Sequence, residues 1–234
     1  GGVTSVAPTL TTGPLDTLLS QIEATYRFAA THPGSAEAGA RLLGVHLEGP
    51  FLSRARLGAH DGRWRRDPTP THVDALAGLP PGALSICTLA PELPGAAALI
   101  EALCSAGVTV AIGHSDATAE QTHRAADRGA SLVTHLGNAQ RGIHHREPGL
   151  VGAALVDDRL TLGLIGDLTH VHGEFLELAR RAAPGRCMLV TDAVSAAGIG
   201  TEAPRVPAQH ASDDRRVGGE GGGEGAMVLA GGVQ

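Results

Sequence analysis

The sequence has few aromatic residues and no lysine. Only 2% of its 234 residues are Phe, Trp or Tyr, so aliphatic side chains and alanine must build the core. Arginine supplies all the permanent positive charge, and the formal net charge is −6. This mild negative charge, without a basic run carrying interleaved aromatics, predicts no nucleic-acid partner. No run is long and apolar enough to span a bilayer, so the sequence also predicts no membrane association.

Cysteine is also scarce, and its spacing matches neither a zinc site nor a dithiol redox motif. The three cysteines are Cys87, Cys104 and Cys187, and two of them lie in strand-like runs. They are therefore interpreted as buried free thiols in a reducing, cytoplasmic compartment. The sequence shows no secretory leader, and it begins at Gly1 in mid-pattern, which suggests a cut N-terminus.

Apolar runs alternate with segments of helical spacing, and the links between them are short. This alternation predicts parallel β/α units. A closed (β/α)8 TIM-like barrel has eight strands, so the first strand is expected before Gly1, with an open doubly wound sheet as the alternative. Helices are expected over residues 16–30, with Asp16 as N-cap, and over 71–79, 95–106, 119–128 and 173–183. The seven strands are expected near Val6, Val45, Ile86, Ala111, Val133, Leu164 and Val190.

The composition changes near the end of the chain. Residues 1–204 are predicted to form the barrel domain, containing barrel strands two to eight. Residues 205–234 form a separate Gly-rich segment, in which 217–225 read as a flexible loop and only 226–230 have an ordered pattern.

Four of the predicted strands end in side chains that suit a metal centre. Glu48, His114, His135 and Asp192 each follow an apolar run, and the carboxyl ends of barrel strands meet at one rim. One carboxylate and two imidazoles suit Zn²⁺ or Fe²⁺. A metal held by Glu48, His114 and His135 lowers the pKa of a bound water, and Asp192 can take its proton and later return it to a leaving group.

Each of these residues also has a structural explanation. Either histidine can be a buried structural residue, and Glu48 can be a helix N-cap or an ion-pair partner. Asp192 can cap a helix over residues 193–197. The coincidence of four such residues at four strand ends favours the metal interpretation.

Other polar clusters are open to two interpretations. His60 and the run that contains Arg146 can bind a substrate, the arginine gripping a phosphate, or they can be solvated loop residues. His170 and His172 have the spacing of extra metal ligands. Ser115 has no base nearby in sequence, so it is interpreted, with the aspartate after it, as the start of a helix.

Six short motifs together resemble the N-acetylglucosamine-6-phosphate deacetylases of the amidohydrolase superfamily. The similarity runs in order from Gly2 to about Gly200. It implies a barrel of the metal-dependent hydrolase type that converts N-acetyl-D-glucosamine 6-phosphate to D-glucosamine 6-phosphate and acetate in amino-sugar catabolism. The motifs are residues 46–52 (HLEGPFL), 58–60 (GAH), 113–117 (GHSDA), 134–136 (THL) with 138–139 (NA), 146–149 (REPG) and 190–193 (VTDA).

The resemblance also implies roles for individual residues. Glu48, His114 and His135 would hold a divalent ion, Zn²⁺ before Fe²⁺ or another divalent metal. Asp192 would be the general base and then the acid, and His60 would contact the substrate and help polarise its acetyl carbonyl. The family implies a homodimer for the full-length protein. Sugar-phosphate contacts are expected from Ala59, His60, Asn138, Ala139, Arg146 and His170, and by a weaker match from Leu229, Ala230 and Gly231.

The sequence also departs from the family pattern. Gly137 and Gln140 stand where an aromatic residue and a methionine are usual, and Asp167-Leu168-Thr169 replaces an Asp-Gly pair. The first strand, which carries a His-x-His pair for a second metal in many relatives, and the small terminal β-sandwich are expected to be missing. One metal or two therefore stays open. Two alternatives stand beside the deacetylase: a truncated inactive fragment, and an amidohydrolase for a different N-acyl sugar.

Overall fold

The computed structural model describes residues 3–32, 39–194 and 225–227. The helices in these ranges are Leu15–Thr31 (α1), Pro70–Ala77 (α2), Ala96–Ser105 (α3), Ala119–Asp127 (α4), Gly149–Val156 (α5) and Gly173–Ala182 (α6). The strands are Ser5–Thr11 (β1), Arg41–Leu42 (β2), Val45–Glu48 (β3), Leu84–Leu89 (β4), Thr109–Ile112 (β5), Leu132–Val133 (β6), Thr161–Ile165 (β7), Cys187–Val190 (β8), Ala193–Val194 (β9) and Gly225–Met227 (β10).

The sheet is the curled parallel sheet of an incomplete (β/α)8 barrel. β1 and β3 to β8 pair in chain order, each parallel to the next, and β2 adds a short parallel pairing to β1. The order never reverses, so this sheet has no topological switch point of the kind that a doubly wound fold contains. All seven predicted strands are confirmed, and the alternative of an open doubly wound sheet is not.

A short antiparallel strand pairs with the β1 end of this sheet. β9 follows β8 after two residues, and β10 pairs antiparallel with both β9 and β1. β10 therefore lies between the first parallel strand and β9, the short segment that follows β8 in the chain. No sequence pattern predicted this pairing. The domain boundary expected after residue 204 stays a prediction, with β10 belonging to the sheet.

The core is aliphatic, as the shortage of aromatics predicted. Three of the four residues of β5 are buried, because helices cover this part of the sheet. The helix before it, α3, packs against the sheet through Leu99, Ile100 and Leu103, all of which are almost completely buried. Phe51 is the largest fully buried side chain among the described residues.

Several predicted helix starts were wrong. All five predicted helices are present within one or two residues of their expected ends, but α1 has Pro14 as its N-cap, and Asp16 lies in its first turn. A helix was also expected over 193–197, but its first two residues form the strand β9. Ser115 does not begin a helix, since α4 starts at Ala119 behind Thr118, whose hydroxyl accepts the Gln121 N–H. α5 was not predicted, because it is apolar on most sides and lacks the amphipathic period.

Of the two cysteines that lie in strands, only Cys87 is buried as predicted. Cys87 in β4 is buried, and burial raises the pKa of its thiol to about 12. Cys187 in β8, the last parallel strand, is exposed, with its Sγ 3.6 Å from the carbonyl oxygen of Ala183. Cys104 on α3 is half-buried. Among the described residues, no helix has both the length and the apolarity to cross a membrane.

Candidate metal centre

Three predicted ligand side chains converge at the carboxyl ends of the parallel strands. Glu48 ends β3, and His114 and His135 follow β5 and β6 by two residues each. Glu48 Oε1 lies 3.0 Å from Nε2 of each histidine, and the two Nε2 atoms are 3.1 Å apart. All three residues are buried, with exposed fractions of 4% to 5%. Within the described ranges, this is the one group of His, Cys, Asp and Glu side chains with metal-binding geometry.

The backbone turns sharply at the residues of this centre. His114 and His135 have φ angles of 46° and 29°, and Asp192 after β8 has φ of 47°. Non-glycine residues rarely adopt positive φ, and such strain collects at functional sites. Two residues after each of β5, β6 and β8, the chain thus passes through the left-handed region, a turn that the apolar pattern of the strands did not indicate.

The hydrogen bond of the His114 imidazole fits a bound cation. His114 Nδ1 lies 2.9 Å from the carbonyl oxygen of Arg56. A carbonyl oxygen only accepts, so in neutral His114 the proton is on Nδ1, and Nε2 turns a lone pair toward Glu48 and His135. Two converging imidazole nitrogens and a carboxylate oxygen are a donor set that a divalent cation such as Zn²⁺ prefers.

The charge of Glu48 depends on the two histidines beside it. Its burial opposes ionisation, but the hydrogen bond from His135 and the adjacent His114 hold its pKa well below the usual range. For His135, burial opposes the charged form, and the bond and charge of Glu48 outweigh burial and raise its pKa. The carboxylate is therefore ionised, as a metal ligand must be.

His60 lies directly against the centre. Its ring meets the ring of His114 edge-on, with 4.4 Å between centroids. Its Nδ1 accepts the backbone N–H of Thr12 at 3.3 Å and lies 2.9 Å from the Thr12 hydroxyl. Burial and the neighbouring His114 lower the pKa of His60 to about 3. His60 is therefore neutral, and its proton is on Nε2, where it can be donated to a ligand.

Asp192 lies within electrostatic range of the centre without belonging to the three-residue group. The residue is exposed at the surface, yet partial burial of its carboxyl group raises its pKa. The charge of His135 acts in the opposite direction, and that of Glu48 adds to the increase. A carboxylate with a raised pKa beside a metal centre can exchange a proton with water.

The predicted substrate residues are spread along the loops around the centre. Asn138 donates from its side-chain amide to the carbonyl oxygen of His135 at 3.2 Å, and Ala139 has φ of 48°. Ala59 is exposed beside His60. Arg146 is exposed, with its Nε 3.1 Å from Nε2 of His145.

Neither histidine of the 170s belongs to the metal group. His170 is exposed, and its Nδ1 pairs with Oδ2 of Asp167 at 2.6 Å. His172 is the N-cap of α6, where its ring accepts the Glu174 N–H. Both therefore have local partners in place of a metal role. Leu229, Ala230 and Gly231 lie outside the described residues.

A buried polar network that the sequence did not reveal lies in the sheet beside the centre. His46 Nδ1 is 3.0 Å from the Thr9 hydroxyl, and its Nε2 is 2.7 Å from the Thr88 hydroxyl. Thr88 in turn lies 2.7 Å from the hydroxyl of Thr134. Burial lowers the pKa of His46 to about 4, so this ring is neutral. The signal was a threonine within the apolar strand β4, and it was missed because threonine is also an ordinary strand former.

Substituting Gly113 with alanine is expected to disturb this network. A Cβ at Gly113 would lie 2.7 Å from Thr88 Cγ2 and 3.0 Å from Thr134 Cβ. Overpacking of this kind costs about 1–3 kcal/mol, which urea unfolding of Gly113→Ala can measure. Gly142→Ala is the matched control, because nothing lies within 4 Å of its added Cβ. Equal stability of the two variants would contradict the expected overlap.

Comparison with known proteins gives relatives that are longer than this chain. The N-acetylgalactosamine-6-phosphate deacetylase of Escherichia coli O157:H7 is 40% identical over 198 residues, which are 85% of this chain and 52% of that protein. The N-acetylglucosamine-6-phosphate deacetylase of Danio rerio is 42% identical over 207 residues, 85% of this chain and 50% of that protein. The chain thus spans about half the length of the curated relatives it matches. No protein-family model matches the chain.

Solved structures agree with these relatives. The crystal structure of N-acetyl-D-glucosamine-6-phosphate deacetylase from Mycobacterium smegmatis superposes with a TM-score of 0.77 and 38% identity, over 83% of this chain and 50% of that one. A variant of that enzyme, solved in complex with N-acetyl-D-glucosamine-6-phosphate, gives a TM-score of 0.71 and 36% identity, over 81% of this chain and 48% of that one.

Proposed function

Because this chain is a homologue of the N-acetylglucosamine-6-phosphate deacetylases, we propose that it carries the metal centre of an enzyme that hydrolyses the acetamide of N-acetyl-D-glucosamine 6-phosphate. The products are D-glucosamine 6-phosphate and acetate. The observation that carries this proposal is the convergence of Glu48, His114 and His135 within 3.1 Å.

In this proposal, Glu48, His114 and His135 hold a divalent cation, with Zn²⁺ favoured by the donor set of two imidazoles and one carboxylate. When bound, such an ion lowers the pKa of a water molecule and polarises a carbonyl group. The proposal also includes a homodimer and a cytoplasmic location, both of which rest on the family resemblance.

Asp192 and His60 are the proposed side chains for proton transfer and for stabilising the developing charge. Asp192, with its raised pKa, accepts a proton from the attacking water and then donates it to the leaving amine of the sugar. His60 donates a hydrogen bond from Nε2–H to the acetyl oxygen, on which negative charge develops, and keeps its proton. This role is supported by the bonds to Thr12, which leave the proton of neutral His60 on Nε2.

The sugar phosphate is held by the loops around the centre. Arg146 offers a guanidinium to the phosphate, a pairing that is often bidentate. His170, Asn138, Ala139 and Ala59 complete the proposed contacts from the described residues. The bond from Asn138 to the His135 carbonyl supports this arrangement, because it ties the sugar loop to the strand end that bears a ligand.

N-acetyl-D-galactosamine 6-phosphate is a second candidate substrate. The relatives named for the two sugars are nearly equally similar to this chain, at 40% and 42% identity. The two sugars differ only in the orientation of one hydroxyl group. The loops that contact the sugar would distinguish them, and the metal chemistry is the same for both. The experiment must therefore include both.

Acetate release tests the proposal directly. The purified chain, loaded with Zn²⁺, is expected to release acetate from one of the two sugar phosphates, to stop when a chelator removes the metal, and to recover when Zn²⁺ is restored. His135→Gln, assayed in the same way, is the control for activity from contaminating enzyme. A folded chain that binds Zn²⁺ and releases no acetate from either sugar would overturn the activity and favour the inactive-fragment alternative.

A further inference from the structure

One carboxylate joins two loops that flank the metal centre. Asp116 Oδ1 accepts from Arg56 Nε at 3.0 Å, and its Oδ2 accepts from Arg141 Nη2 at 2.7 Å. Arg56 belongs to the loop that follows β3, and Arg141 belongs to the loop that follows β6. These two loops therefore meet at Asp116, two residues beyond the ligand His114.

The arginine that Asp116 holds is the same residue that orients His114. The Arg56 carbonyl oxygen accepts the Nδ1 proton of His114 at 2.9 Å. A second bond binds the same loop to the ligand, since the Ser53 N–H donates to the His114 carbonyl oxygen at 2.9 Å. The guanidinium contact thus fixes the position of a main-chain oxygen that decides which nitrogen of His114 carries a proton.

Asp116 is itself held in place. Its backbone N–H donates to Glu92 Oε1 at 2.8 Å, and the neighbouring Ser115 hydroxyl donates to Glu92 Oε2 at 2.7 Å. The side chains of Asp116, Arg56 and Arg141 keep 27% to 35% of their surface exposed. Ion pairs with this much solvent contact add little stability, so the contribution of this group lies in position.

We propose that Asp116 is a positioning residue of the metal centre: by holding Arg56, it keeps the Arg56 carbonyl on His114 Nδ1 and leaves Nε2 free to bind a divalent cation. This inference rests on the proposed function for the identity of the centre. Hydrogen-bonding partners that orient a ligand histidine typically change metal affinity by about 10–100-fold when they are removed. Asp116 acts through Arg56, so the lower end of that range is expected.

Asp116→Ala tests the inference with two measurements. Zn²⁺ affinity, measured by competition with a chromophoric chelator, is expected to fall about tenfold. In the metal-free chain, the ¹⁵N shifts of His114 are expected to show the Nδ1–H tautomer for the parent and a mixture of tautomers for the variant. Loss of stability alone does not produce the second result.

Glu177→Ala is the matched control. Glu177 on α6 also accepts from two arginines, Arg180 and Arg181, and it has no contact with the centre. The Zn²⁺ affinity of the Glu177→Ala variant and its His114 tautomer are expected to equal those of the parent. If Asp116→Ala fails to fold, Asp116→Asn, which keeps one acceptor and the shape, is measured instead, with a smaller loss in the same direction.

The outcomes separate the inference from the proposed function. Unchanged affinity or an unchanged tautomer in the Asp116 variants would overturn the positioning role. If the parent chain binds no Zn²⁺, the proposed metal centre fails, while the tautomer in the metal-free chain still decides whether Asp116 orients His114.

Discussion

Asp192→Asn is expected to lower the rate of acetate release by about 10²–10⁴-fold while the metal stays bound. Asparagine keeps the shape of the side chain but cannot accept a proton from water or return it to the amine. Asp192 is also not one of the three converging donors, so its replacement leaves Glu48, His114 and His135 in place. The measurements are kcat for acetate release and the metal content of the variant after gel filtration.

Asp127→Asn provides the control for this experiment. Asp127 ends α4 and pairs with Arg159 at an exposed position, so the same chemical change there should leave both kcat and metal content as in the parent. If Asp192→Asn loses its metal along with turnover, Asp192 is a ligand and the assignment of the base is wrong. If it keeps full turnover, another group moves the proton.

Glu48→Gln is expected to remove tight metal binding, with Zn²⁺ affinity falling by more than about 100-fold. This is larger than the effect of removing an orienting partner, because the change takes away a charged donor atom itself. In the metal-free chain the same change breaks the buried pair between Glu48 and His135, so the thermal midpoint without metal is also expected to fall. Chelator competition and thermal unfolding with and without Zn²⁺ provide both measurements.

The Zn²⁺ affinity makes this prediction specific. A merely structural carboxylate at Glu48 would lower the metal-free midpoint in the same way but leave any Zn²⁺ affinity unchanged. Glu101→Gln on α3, where the carboxylate pairs with Arg128 at the surface, controls for the loss of one negative charge. Parent-like Zn²⁺ affinity in Glu48→Gln would exclude Glu48 as a ligand.

The parallel strands were predictable because their burial on both faces leaves an uninterrupted apolar run. β5 is the clearest case, with a glycine and then His114 directly after it. β2 and β9 have two residues each and β10 has three, too few for any periodicity. α5 escaped notice for the opposite reason, since it is buried on most sides and shows no polar face.

The metal ligands were predictable from their places at strand ends, but their surroundings were not. The acceptor that orients His114 is the main-chain oxygen of Arg56, and a backbone atom has no signature in sequence. The pairing of Asp116 with Arg56 and Arg141 depends on how two loops fold over one strand end. A pattern of apolar residues carries no information about that arrangement.

The antiparallel strand β10 has a consequence for the order in which the molecule assembles. β3 to β8 each pair with the strand one helix or loop away, whereas Ala7 of β1 pairs with Met227 of β10 from opposite ends of the chain. Contacts between distant segments carry a large loop-closure cost and form slowly. Asp192 lies between β8 and β9, and β9 is held by β10. The three donors for the metal follow strands that pair in chain order, whereas the proposed base is held only when β10 pairs with β9, so during refolding metal binding should precede turnover.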